Sequence, residues 1–227
     1  MNDPSVNLKT RMKLSEDNQR SDALTLIEVI VVIAVMVVLV GLLVPWSTNA
    51  PSQRTSCARY LKSTGVAARI FATDNEDKWP WQVSTTEGGS REFQNVPNSA
   101  FRHFQVMSNE LSTPKIIVCP EDKRRTWATN WVIGFNNQNL SYFVGFNASE
   151  TNASSLLSGD RYLTTSRPPM NGFLELTPKD AVSWAKDFHQ YKGNLLLGDG
   201  SVQMSDSASL QKALHDSGVA TNRLAIP

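Results

Sequence analysis

The stretch 24–46, LTLIEVIVVIAVMVVLVGLLVPW, constrains this chain more than any other: apart from Thr25, Glu28, Gly41 and Pro45, every residue in it is apolar. A helix rises ~1.5 Å per residue, so a run of this length matches the ~30 Å hydrocarbon core of a bilayer, whereas the apolar part of a secretory signal usually stops at about 7–15 residues. The run reads as a transmembrane helix over 24–46. Two plainer readings compete with a specialised one: a secretory signal cut after Thr48-Asn49-Ala50, and an anchor with no further role. Neither accounts for Glu28. A carboxylate inside an apolar run costs several kcal/mol in lipid and marks a function with a cationic partner. The free amino group of a neighbouring chain cut just before Leu24 would lie at the same depth, which makes Glu28 an assembly residue.

The remainder of the 227 residues is enough for one ordinary folded domain, and 41% hydrophobic residues exclude disorder throughout. Lys and Arg total 22 against 21 acids, and no basic run alternates with aromatics, so nucleic acid is not an expected partner. The two cysteines, Cys57 and Cys119, are too few for a disulfide scaffold and lack a close metal-ligand spacing. They read as one disulfide or as two buried thiols.

Over 54–71, Cys57, Leu61, Thr64, Ala68 and Phe71 recur at steps of three and four, with Arg54, Arg59, Lys62 and Arg69 on other faces. This predicts an amphipathic helix that continues the membrane helix into a long spine and ends at 73–77, before Trp79-Pro80. A Ser/Thr/Gly-rich loop follows at 84–90, then a helix capped by Ser99 whose Phe101, Phe104, Met107 and Leu111 face a core. Strand-length pieces come next at 116–119, 140–146, 156–164, 172–176, 195–197 and 201–204, bounded by Gly, Asn and Pro. They predict a small antiparallel sheet, followed by a short helix at 208–215 and an irregular tail at 222–227.

Asp199-Gly200 joins the last two strands as a hairpin turn, because glycine accepts positive φ and aspartate bonds its own backbone. A functional alternative places Asp160 and Asp199 among the oxygen ligands of a Ca2+; no other cofactor is expected. His189 reads as a hydrogen-bonded structural histidine rather than a ligand or general base, since His103, His189 and His215 form no metal spacing. No Gly-x-Ser-x-Gly elbow is present, and the chain is not expected to be an enzyme.

A leader carrying Lys9, Arg11, Lys13 and Arg20, then Ala23, Leu24-Thr25-Leu26-Ile27-Glu28 and a Val/Ile-rich run, resembles the class III signal of type IV pilins and type II secretion pseudopilins. That resemblance implies a prepilin peptidase that cuts between Ala23 and Leu24 and methylates Leu24, leaving Glu28 as fifth residue of the mature chain. Pro45 falls where pilins often carry a helix-loosening proline. Ala23 and Leu24 replace the family's usual glycine and phenylalanine. The segment from His189 to Asp199-Gly200, with nine residues between histidine and aspartate, is similar to the signature of prepilin-like H-x9-DG proteins of planctomycete- and verrucomicrobia-like bacteria. Cys119-Pro120, Gly159-Asp160 and Cys57 match further features of that group.

The resemblance implies an α+β pilin-like fold: leader 1–23, transmembrane helix 24–46, periplasmic half of the spine 47–78, and an outer domain 79–227 whose antiparallel sheet packs on the spine. It further implies a structural subunit of a type IV pilus-like or pseudopilus filament. Such a subunit sits in the bacterial inner membrane, N-terminus inside, with the bilayer, other subunits and an assembly platform as partners. The rival from another class is a membrane-tethered extracytoplasmic binding module that does not polymerise.

Overall fold

A computed structural model describes residues 25–43, 53–186 and 188–227. The leader with Ala23 and Leu24, and also Pro45, lie outside the described residues. The chain divides into two units, Met1–Asn49 and Ala50–Pro227.

The described part of the first unit is helix α1, Leu26–Leu43. Its start is fixed locally by Thr25-Leu26-Ile27-Glu28, a capping box. The Glu28 main-chain N–H donates to Thr25 Oγ1 at 3.4 Å, while Thr25 N–H donates back to Glu28 Oε2 at 2.7 Å. The apolar side chains described along α1 are exposed on every face, from Leu26 at 77% to Val29 at 43%. Its 18 residues span about 27 Å, short of the ~30 Å hydrocarbon core. Helix α2, Gln53–Asp74, is longer but carries Arg54, Arg59, Lys62 and Arg69. No helix among the described residues is long and apolar enough to cross a membrane. The expected fold, pilin-like with a long transmembrane spine, is therefore corrected to an α+β fold with an antiparallel sheet and two separately described helices in place of the spine.

In the second unit, α2 is followed by two short helices, α3 (Ala100–Gln105) and α4 (Ser108–Leu111), where one longer helix was expected. Ser99 does not cap α3 through its side chain; its hydroxyl donates to Phe93 O of the preceding 3-10 turn and to Val96 O just after it instead. The expected strand at 116–119 is a 3-10 helix, Pro114–Ile117, whose proline sets φ at its start and whose entry is capped by the Thr113 hydroxyl.

Among the described residues eight strands follow: β1 (Tyr142–Gly145), β2 (Leu156–Asp160), β3 (Leu163–Thr165), β4 (Phe173–Leu176), β5 (Val182–Trp184), β6 (Lys192–Leu197), β7 (Val202–Asp206) and β8 (Asn222–Ala225), with helix α5 (Ser207–Asp216) before the last. Six form an antiparallel sheet in the order β4-β8-β1-β2-β6-β7, and β3 pairs with β5 in a separate ribbon. The expected strand 156–164 is thus two strands in two sheets, and the expected irregular tail is β8, an interior strand between β4 and β1.

Strand side chains alternate faces, and here both faces are covered. Tyr142, Val144, Leu157, Leu196 and Ala225 join the Cys57, Leu61, Ala68 and Phe71 side of α2 in one buried cluster. Phe143, Leu195, Leu197 and Leu224 join Leu210 and Leu214 of α5 and Trp184 of β5 in the other. Burial on both faces explains why β6 reads Leu-Leu-Leu rather than alternating. At ~25 cal/mol per Å2, each such side chain contributes roughly 1.5–3 kcal/mol on leaving water.

Candidate functional site

Strand β6 joins the two halves of the His189-to-Gly200 segment. His189 lies in the loop entering it; Asp199-Gly200 is the turn leaving it toward β7. At the exit, Gly200 takes φ 79°, and Asp199 accepts from Ser201 N–H at 2.8 Å. Cations of α2 hold this hairpin by its backbone. Lys62 Nζ donates to Gly200 O at 2.6 Å, Arg69 Nη2 to Gly198 O at 2.9 Å, and Arg54 Nη2 to both Gly193 O and Ser205 O at 3.1 Å. Positions 54, 62 and 69 lie about two turns apart on one helical face, so α2 clamps both ends of β6. The nine-residue spacing is the span of that strand and its flanking turns.

The pairing of β2 with β6 sets Gly159 against Leu195 and Leu156 against Leu197. Asp160 consequently sits beside Asn194, at the entry end of β6, while Asp199 lies beyond the exit end. Five residues at ~3.3 Å each separate those levels by about 16 Å. The candidate Ca2+ set of Asp160 and Asp199 is corrected accordingly: these carboxylates do not share an ion.

Asp160 instead belongs to a buried cluster at the entry end. His189, Gln190 and Tyr191 have φ of 50°, 54° and 62°, three consecutive non-glycine residues in the left-handed region. Such a run costs on the order of 1–2 kcal/mol per residue and persists only where the surroundings over-determine it. It turns the His189 ring inward until the residue is only 7% exposed, against Phe188, which itself stacks on Tyr162. His189 Nε2 then lies 3.7 Å from Cys119 Sγ and 3.7 Å from Asp160 Oδ2. Its Nδ1 lies 2.5 Å from Glu121 Oε2, a contact of ion-pair length without the direction of a good hydrogen bond. Burial lowers the His189 pKa, against the pull of Glu121.

Asp160 is fully buried; its Oδ2 accepts from Asn194 N–H at 2.7 Å and from Asn194 Nδ2 at 3.0 Å, while Oδ1 has no hydrogen-bond partner. Burial pushes this carboxyl up to about 8, despite the Asn194 hydrogen bonds and the Arg54 charge that pull it down. Cys57 of α2 and Cys119 are joined as a disulfide with Cα atoms 4.8 Å apart, across a sequence separation of 62. Tyr142 hydroxyl donates to Cys57 O at 3.0 Å, which fixes the helix end of the bridge to β1.

Beside the cluster, Asp122 is a structural anchor. It accepts from Arg161 Nε at 2.9 Å, Tyr162 hydroxyl at 2.8 Å and Ser141 hydroxyl at 2.9 Å. Glu121, Asp122, Arg54 and Asn194 were not singled out as site residues from the sequence. The available signal was Glu121-Asp122 directly after Cys119-Pro120. In the first unit, Glu28 also accepts from Thr25 hydroxyl at 2.8 Å, so the carboxylate has a local cap that spacing alone, Thr-x-x-Glu, announces.

Comparison with known protein families, curated proteins and solved structures gives no match.

Proposed function

We propose that this chain is a structural subunit of a pilus-like or pseudopilus-like filament, processed at the bacterial inner membrane by a prepilin peptidase and assembled through α1. The observation that carries the reading is α1 itself: apolar on every face, exposed from Leu26 to Val40, and bearing one carboxylate in its first turn. A helix of that kind needs apolar surroundings, and copies of the same helix supply them along a filament. Val and Ile side chains then provide contact area, and Glu28, already holding the Thr25 N–H, sets register by pairing with the amino terminus of a neighbour. The Cys57–Cys119 disulfide supports an oxidising compartment for the second unit, outside the cytoplasm.

Replacing Glu28 by Gln separates capping from charge pairing, because glutamine at that position also closes a capping box. Glu28→Gln should leave abundance and helicity unchanged and abolish filaments. Filaments at normal yield would remove the pairing role, and a wild-type chain that stays monomeric in its native membrane would favour the tethered binding module.

A further inference from the structure

Three groups from three separate segments, Cys57, Cys119 and His189, converge at the entry end of β6, with Asp160 beside His189, and each of the four is at most 7% exposed. The two sulfurs and a His189 ring nitrogen all lie within 4.8 Å of one another. His189 Nε2 stands 3.7 Å from both Cys119 Sγ and Asp160 Oδ2, which for a carboxylate is too long for a hydrogen bond. It is close to another length. With Zn–S about 2.3 Å and Zn–N or Zn–O about 2.0–2.1 Å, the edges of a coordination tetrahedron are about 3.4–3.8 Å. The other ring nitrogen lies 2.5 Å from Glu121 Oε2, near enough for an outer carboxylate to orient a metal-binding imidazole once the two align. Asp160 Oδ1 is buried without a partner.

We propose that Cys57, Cys119, His189 and Asp160 form a redox-gated site for a zinc-class divalent cation, closed while the cysteines are joined and competent once they are reduced. A dithiol reductant opens it. One thiolate of the reductant attacks a sulfur of the bridge, its second thiol resolves the mixed disulfide, and the products are an oxidised reductant plus the Cys57 and Cys119 thiols. The cation then binds as the two thiol protons and the Asp160 carboxyl proton leave to solvent, taking both thiolates, His189 Nε2 and the Asp160 carboxylate. Exchange of the two thiolates with an oxidised disulfide partner re-forms the bridge and expels the cation. A chain that folds before its disulfide closes is held together by the metal in the meantime. This inference does not depend on the filament reading.

The full-length chain, reduced with a phosphine under anaerobic conditions and titrated with Co2+, should bind one equivalent. The expected signature is the visible bands of tetrahedral cobalt with sulfur-to-cobalt charge transfer, displaced by Zn2+. The disulfide form should show neither. Cys57→Ser should abolish the charge-transfer band of that sulfur and weaken binding at least tenfold. Glu121→Gln should keep the spectrum and weaken binding about 10–100-fold. An octahedral spectrum, no binding after reduction, or equal binding by the oxidised chain would overturn the site. If reduction unfolds the protein, refolding with Zn2+ against refolding with a chelator decides: recovery only with Zn2+, lost in Cys57→Ser, supports the site, and equal recovery overturns it.

Discussion

Helices α1 and α2, at 18 and 22 residues, are comparable in length and opposite in how they dispose of their apolar groups. Along α2, Cys57, Leu61, Ala68 and Phe71 are 5% exposed or less, packed on the sheet, and its cations reach over to the backbone of β6, of β7 and of the turn between them. Along α1, apolar residues of the same size stay exposed. One face of α2 is thus built into a core, although Val66 and Ile70 on the same helix stay 49% and 45% exposed, whereas no described face of α1 is buried. That contrast assigns the stability of the second unit to α2 and underlies the association proposed for α1.

Paired truncations test the contrast most strongly. Leu61→Ala should lower the unfolding free energy of the second unit by about 3 kcal/mol, the scale of a buried leucine cavity, whereas Val32→Ala should change that transition by less than about 0.5 kcal/mol. A matching loss from Val32→Ala, followed by thermal or denaturant unfolding, would mean that α1 is part of the same cooperative core and would break the comparison. Next in size, Cys57→Ser with Cys119→Ser should cost about 2–4 kcal/mol, since the bridge closes a long loop in the unfolded chain.

A pH titration sharpens the account of the second unit's core on its α2 side. His103 is buried, bonded to Ser90 hydroxyl through Nδ1 at 2.8 Å, with Nε2 unpartnered beside Trp81 and Phe146. Burial pushes its pKa down to about 3 from 6.5, so the unfolded chain binds the extra proton first as pH falls through 6.5. Stability should drop by about 2 kcal/mol between pH 7 and 4.5 through this residue. Asp160, raised to about 8, acts with the opposite sign, losing stability as pH rises toward 8. The difference between wild type and His103→Gln isolates the histidine, and parallel curves for the two would remove it from the account. Smallest, Lys62→Met should cost no more than about 1 kcal/mol, because its ammonium only tethers the partly solvated Gly200 carbonyl.

Local patterns were legible where one element carries its own signal. The 3.6-residue period gave α2, and the Asp199-Gly200 turn and the flanking leucines gave the β6–β7 hairpin. What failed depended on distant partners. Strand β8, Asn222–Ala225, has two strongly apolar positions at most, and becomes a strand because β1 and β4 receive it, the former some 80 residues earlier. Conversely, Ile116 to Cys119 looked like a strand, but Pro114 and the Thr113 cap turn its start into a 3-10 helix. The same limit applied to the site. His189 and Asp160 were visible as individuals, yet only the β2–β6 register separates Asp160 from Asp199 and delivers it to His189. By its place in an apolar run Glu28 is a charge seeking an external partner, while Thr25-Leu26-Ile27-Glu28 also writes a local cap that the folded helix uses.

Assembly through α1 is tested most directly by the intact mass and N-terminal sequence of the protein isolated from its native membranes. Processing by the prepilin route gives a chain that begins at methylated Leu24, with Glu28 as its fifth residue. A chain beginning at Met1, or at Pro51 after cleavage behind Ala50, would contradict it.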